Sequence, residues 1–205
     1  MPYTMEFYSL DWSELGKALG SSNHDLVDQI DKENGDNFFR SEEDQENRLI
    51  WRKLLEALVL GRRGKALAAR GPEGNQLEEV SDIAELALVG IVRTLGVNIG
   101  SLEHSTRGGS LFRDQLFAKE APKIFNAPVV LTQLIERPLF GTIHSGAYPS
   151  LGGLKKSEIE LLLKNLSDDD IPEFDDSDIE GWFYDLYTCL RIAQEEETDI
   201  ITVYF

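Results

Sequence analysis

The chain has 205 residues, 41% of them hydrophobic and 9% aromatic, and 37 acidic against 20 basic residues give it a formal net charge of −17. That apolar content is enough for a packed core and excludes disorder of the whole chain; the length predicts a single domain over residues 1–205. The acidic balance excludes nucleic acid and anionic membrane surfaces as partners, because both require a basic face.

The opening MPYTMEFYSLDWSELG has neither a basic region nor a long apolar run, so it predicts no signal peptide. No stretch approaches the ~18 apolar residues of a membrane helix. Tyr3 to Leu10 alternates, with Tyr3, Met5 and Phe7 on one face and Thr4 and Glu6 on the other, which reads as a half-buried strand. Asp11 caps a short helix over Trp12–Leu19, with Glu14 closing a capping box. Ser22 or Asn23 starts a second helix, with Leu26, Val27 and Ile30 inward and Gly35 past its end.

Ser41, followed by the acidic run Glu42 to Asp44, opens a helix to about Leu60. Ile50, Leu54, Ala57 and Leu58 form its expected stripe, flanked by Trp51 and Leu55. Arg62–Asn75 reads as a glycine- and arginine-rich connection. Leu77–Leu95 carries the clearest helical spacing, with Val80, Ala84, Ala87, Leu88 and Ile91 on a wide apolar arc that predicts a central position.

Asn98–Gly109 reads as loop. Ser110 caps a helix holding Leu111, Phe112, Leu116 and Phe117, and Pro128 begins another through Ile135. Thr142–Tyr148 is a second short strand. Gly152-Gly153 precedes a helix over Lys156–Leu166, with Ile159, Leu162, Leu163 and Leu166 inward. Ser177 and Glu180 form a capping box for the last helix, whose buried face is Ile179, Trp182, Phe183, Leu186, Cys189, Leu190 and Ala193. Thr198–Phe205 closes the chain as a strand. The two terminal strands are short, so each needs a sheet, and the same sheet serves both. The expected fold is therefore α+β, predominantly helical, with a small sheet that includes both chain termini.

The charge is concentrated. Ser167 to Phe205 holds 13 acidic residues and one basic residue, Arg191. Eight of those carboxylates lie between Asp168 and Glu180. A calcium loop of the EF-hand type would need Gly at position 6 and Glu at 12, and no register from Asp168, Asp169 or Asp170 supplies both. Asp168, Asp169, Asp170, Asp175 and Asp176 are therefore read as a surface for a basic partner, not as metal ligands.

Arg48–Arg70 is the counterpart, with seven basic residues and one acid, Glu56. It either complements the acidic C-terminal part within the molecule or docks an anionic partner. Within it, Gly61-Arg62-Arg63-Gly64-Lys65 lacks the spacing of a phosphate loop and the Ser or Thr after its Lys.

His24, His104 and His144 show no metal-ligand spacing. Glu103-His104 and His144-Ser145 fall in stretches read as glycine-rich loop, where catalytic residues gather, so His104, His144 and Glu103 are the candidates for an active site. Neighbours on an extended chain point apart, however, and no nucleophile elbow is present. Cys189 lies on an apolar face as a small hydrophobe. No cofactor is implied, and a lone cysteine suits a reducing cytoplasm.

The opening M-P-Y-T-M-E-F-Y-S-L-D-W-S-E-L resembles a group of small uncharacterised bacterial proteins, a domain of unknown function. Pro138–Leu166, with P-L-F-G-T-I-H leading to L-x-x-x-E-I-x-x-L-L, is similar too, as is the finish from Gly181-Trp182 to V-Y-F. These patches cover roughly a third of the chain. The resemblance implies a cytoplasmic α+β domain and supplies no catalytic residue. The leading expectation is a non-enzymatic protein-binding module, in a specific form an acidic antagonist or immunity-type protein for a basic partner. The alternative is a small enzyme with a loop-lined, His-centred site at His104 or His144.

Overall fold

The computed structural model describes residues 3–41, 44–70, 78–80, 82–105, 111–125, 131–135, 137, 139–144, 149–164, 166, 171 and 173–205. The fold is α+β, predominantly helical, with one four-stranded sheet that contains strands from both ends of the chain. The chain builds two compact units, each from separated stretches. No single cut divides them, which is why no linker composition marks a boundary.

The first unit comprises Met1–Ser9, Asn98–Arg137 and Gly152–Phe205. The elements of the sheet are β1 (Tyr3–Ser9), β3 (Val97–His104), β5 (Ser150–Leu154) and β6 (Ile200–Tyr204), in the order β3-β1-β6-β5. β1 and β6 run antiparallel, from Met5 opposite Tyr204 to Ser9 opposite Ile200. Ile200 to Tyr204 are all buried, as an interior strand requires. Helix α7 (Lys156–Leu163) packs on α8 (Ser177–Glu196), and α8 also packs on β1 and on a π-helix over Leu111–Glu120. A π-helix bonds five residues apart. Phe112 and Phe117 accordingly share a face, with rings 5.0 Å apart. Pro122 then lies where the π-helix runs directly into α6 (Ala121–Ile124).

The second unit comprises Leu10–Val97 and Pro138–Leu151. Its helices are α1 (Trp12–Ala18), α2 (His24–Phe38), α3 (Gln45–Val59), α4 (Arg62–Arg70) and α5 (Asp82–Leu95). As its wide apolar arc predicts, α5 is central and packs on α1, α2 and α3. A parallel pair joins β2 (Glu78–Val80) to β4 (Thr142–His144).

Several expectations need correction. Gly35 does not stop α2; it is buried within the helix, and a Cβ there would lie 2.8 Å from the Arg48 Nη2 that crosses it. The buried face of α3 is Trp51, Leu55, Leu58 and Val59, about one residue on from the expected stripe, and Ile50 is exposed. Trp51 sets that phase by packing on the rings of Phe38 and Phe39 at 6.0 and 5.8 Å. Arg62–Arg70 is helix rather than connection, anchored by buried Leu67 and built from good helix formers. Glu78–Val80 is strand, so the helix expected from Leu77 begins later, at Asp82. Gly152-Gly153 precedes the helix from Lys156 as expected, and lies inside β5, where a Cβ on Gly152 would strike the Leu134 carbonyl.

Among the described residues the arginines of α3 are paired with carboxylates of α2 and of α3 itself. Arg48 pairs with Asp36 at 2.5 Å, and Arg52 with Asp28 at 2.5 Å, Asp31 at 2.8 Å and Glu56 at 3.1 Å, all within the second unit. The expected helix from Pro128 and the later part of the Thr142–Tyr148 strand fall in part outside the described residues. No helix among the described residues is long and apolar enough to cross a membrane.

Candidate functional site

The site lies in the first unit, on the stretch 98–104 expected to be loop. That stretch belongs to β3, and its side chains alternate: Leu102 and His104 are buried, Ser101 and Glu103 exposed. Polar residues at every second position over an apolar underside suit a strand with one wet face.

His104 serves the buried side. It is 4% exposed. Its Nδ1 lies 2.9 Å from the Ser105 carbonyl, which can only accept, so in the neutral ring Nδ1 carries the proton. Nε2 then accepts from the Tyr204 hydroxyl at 2.5 Å. The imidazole stacks on Phe112 at 4.5 Å and on Tyr3 at 5.3 Å, with Trp182 edge-on at 6.2 Å. His104 therefore ties β1, β3, β6, α8 and the π-helix together as a core residue with both nitrogens occupied.

The outer side of β3 faces a cleft. Ser101, Glu103, Ser177, Asp178, Gly181, Trp182 and Asp185 line it, around a volume of about 390 Å³. One wall is strand and the other is the first half of α8. Trp182 joins them, since its Nε1 donates to the Glu103 carbonyl at 2.9 Å. Asp176 caps α8, its Oδ1 accepting from the N–H of Asp178 at 2.9 Å and of Ile179 at 3.2 Å. The cap is one residue earlier than the expected Ser177. It answers the helix's positive end, which leaves the carboxylates of Glu103, Asp178 and Asp185 to set the sign of the cleft. None of the three makes a side-chain hydrogen bond or ion pair among the described residues. Asp185 also acts inward: burial, and then its charge, push the Cys189 thiol up to about 12. Cys189 is buried, and its thiol points to the Ile99 carbonyl at 3.7 Å.

The other candidates take different places in the fold. Glu103 and His104 turn to opposite faces of β3, so they form no acid–base pair. His144 belongs to the second unit, on β4 opposite Val80. His104 lies on a strand where loop was expected, and His144 lies on the short strand expected from Thr142. Asp175 is exposed and Asp176 is the cap, while Asp168, Asp169, Asp170 and Ser145 lie outside the described residues. Among the described residues no group of three or more His, Cys, Asp and Glu side chains could hold a metal ion. The sequence reading missed Ser101, Gly181 and Asp185. The alternation Ser101-Leu102-Glu103-His104 is the signal that could have placed the first on a strand face. Comparison with protein-family models, curated proteins and solved structures finds no match to this chain.

Proposed function

We propose that this protein is a non-enzymatic, cytoplasmic binding module that receives a basic protein on the acidic surface of its C-terminal part, in the manner of an antagonist or immunity protein. The observation that carries this reading is the cleft: three carboxylates, Glu103, Asp178 and Asp185, converge with no cation of the described chain on them. Carboxylates brought together without a counter-charge repel one another, and a cationic partner relieves that cost while being steered to the site. The burial of His104, with both ring nitrogens used, counts against the enzyme reading. The likeness of the chain ends to a family of small bacterial proteins brings no catalytic residue to set beside it.

The test is association kinetics with a partner isolated from the native host on immobilised protein. Association should be fast at low salt and should slow by about tenfold or more towards physiological strength, where screening cuts the field to ~8 Å. Replacing Glu103 with Gln and Asp175, Asp178 and Asp185 with Asn should lower the on-rate further. A partner of acidic or neutral charge, or an unchanged on-rate in the neutralised variant, would overturn the reading.

A further inference from the structure

We infer that the outer face of α3 is a dimer interface, on which a second copy of this chain lays its own α3 antiparallel across a two-fold axis. This surface belongs to the second unit and shares no residue with the cleft.

Helix α3 carries apolar residues on two faces. The inner one, Trp51, Leu55, Leu58 and Val59, is buried. On the opposite side Glu46, Ile50, Lys53, Ala57 and Leu60 recur at steps of four and three, the spacing of a helix–helix seam. Leu49 flanks that row. A helix face turned to water is ordinarily polar. Here Leu49 is 63% and Ile50 41% exposed, while Ala57 and Leu60 are half-buried. Five large apolar side chains are exposed among the described residues, and only these two are neighbours in the chain, so they form a patch rather than a scatter. The apolar spacing of Ile50, Leu54 and Ala57 in the sequence thus reports a second face of α3, not the buried one.

Two properties of this face fit a copy of itself. The first is charge. Glu46 is exposed at the start of α3, and Arg62 and Lys65 are exposed just past its end, at the start of α4. None of the three makes an ion pair or side-chain hydrogen bond among the described residues, whereas Arg48 and Arg52 of the same helix are paired. A two-fold axis through the middle of α3 sets the acidic start of one copy on the basic end of the other. The second property is size. Leu49 and Ile50 stand in the first half of the helix, Ala57 and Gly61 at its other end. Antiparallel pairing brings large side chains onto small ones, as interdigitating helices require. A parallel pair would set Glu46 on Glu46 and Ile50 on Ile50. Lys53 lies near the axis, where its stem covers apolar surface and its ammonium stays in water. The net charge of −17 on each copy opposes association at low salt, and screening relieves it.

The experiment is sedimentation equilibrium of the full chain at physiological salt over a range of concentrations. The mass should rise from that of one copy to that of two. Ile50→Asp puts a charge into the seam and should weaken association by about tenfold or more. Glu46→Arg and Arg62→Glu should each weaken it, since like charges then meet at both ends. The double variant should recover it, because the ends attract again with their signs exchanged. All three side chains are exposed, so the variants should fold as the parent does, checked by circular dichroism at a concentration where the parent is a single copy. A single copy throughout the range, Ile50→Asp associating as tightly as the parent, or a double variant no better than the weaker single one would overturn the interface. Neutralising Glu103, Asp178 and Asp185 should leave the association intact. Its loss there would place the contact at the cleft and would equally overturn the α3 interface.

Discussion

Helices α2 and α8, one in each unit, use the same residue type in opposite ways. In the second unit three carboxylates of α2 are answered: Asp28, Asp31 and Asp36 lie against Arg48 and Arg52 of α3. Asp31 is shared, with Oδ2 hydrogen-bonded to Arg52 at 2.8 Å and Oδ1 only 3.6 Å from Arg48, an ion pair too long for a hydrogen bond. Burial alone would lower the pKa of Arg52, but its bonds to Asp28, Glu56 and Asp31 raise it on balance. In the first unit, where Glu158 pairs with Arg137 and Glu197 with Lys156, Asp178 and Asp185 of α8 line a cleft with no cation of the described residues on them. Charge that fixes one helix on another is spent within the fold, whereas charge left open remains for a partner.

The tryptophans divide along the same line. Trp51 is wholly buried among Phe38 and Phe39, and its indole N–H finds no acceptor among the described residues. Trp182 has its N–H satisfied by Glu103 and keeps an edge on the cleft. The first is a packing residue that tolerates an orphaned donor. The second joins helix to strand where the candidate site lies.

The largest expected effect comes from the sheet of the first unit. Deleting Ile201–Phe205 removes most of β6, the strand between β1 and β5, and with it the Tyr204 hydroxyl on His104. Cooperative melting should be lost, read by circular dichroism and calorimetry. A truncated chain that melts within a few degrees of the full one would show that the unit does not depend on that strand.

A smaller effect is expected in alkali, again in the first unit. In the unfolded chain Cys189 ionises near its ordinary value of 9.0, and in the fold only near about 12. The folded state therefore binds the extra proton between these values. The stability contributed by the neutral thiol is fully present below about pH 9 and is lost as pH rises towards about 12. Denaturant titrations of the protein and of Cys189→Ala should diverge in their pH slope over that window. Because Asp185 contributes to the shift, Asp185→Asn should narrow the window. Parallel slopes for the protein and Cys189→Ala would remove this role of burial.

The smallest effects set the units against each other directly. Arg52→Ala should cost ~1 kcal/mol, since its pairs are partly exposed, and the cost should shrink in high salt. Asp185→Asn should change stability by no more than ~0.5 kcal/mol, as a surface carboxylate without a partner. Equal costs in urea melts would dissolve the distinction between answered and unanswered charge.

Much of the local structure was legible in the amino-acid order alone. Alternation marks β1 and the hydrophobic run marks β6; helical spacing marks α5, α7 and α8 with most of their buried residues. These elements carry a strong apolar pattern, and the solvent boundary they meet is simple. Where that pattern weakens, neighbours decide. β3 reads as loop because it mixes glycine with polar residues and is half wet, and only pairing with β1 makes it strand. The phase of α3 follows Trp51 because Phe38 and Phe39 of another segment receive that ring. Gly35 continues a helix to Phe38, with the Arg48 guanidinium of another segment close to it.

The acidic character of the C-terminal part is likewise written in composition, but composition says nothing about which carboxylates stand together. Asp175 and Asp176 drew attention because they sit in a run, and the structure makes Asp176 a helix cap. Glu103 joins Asp178 and Asp185 only because β3 and α8 meet in the fold. Sequence period determines which faces are apolar, since it follows from backbone geometry one element at a time. Which polar residues share a site depends on contacts between distant segments, and those exist only once the chain has packed.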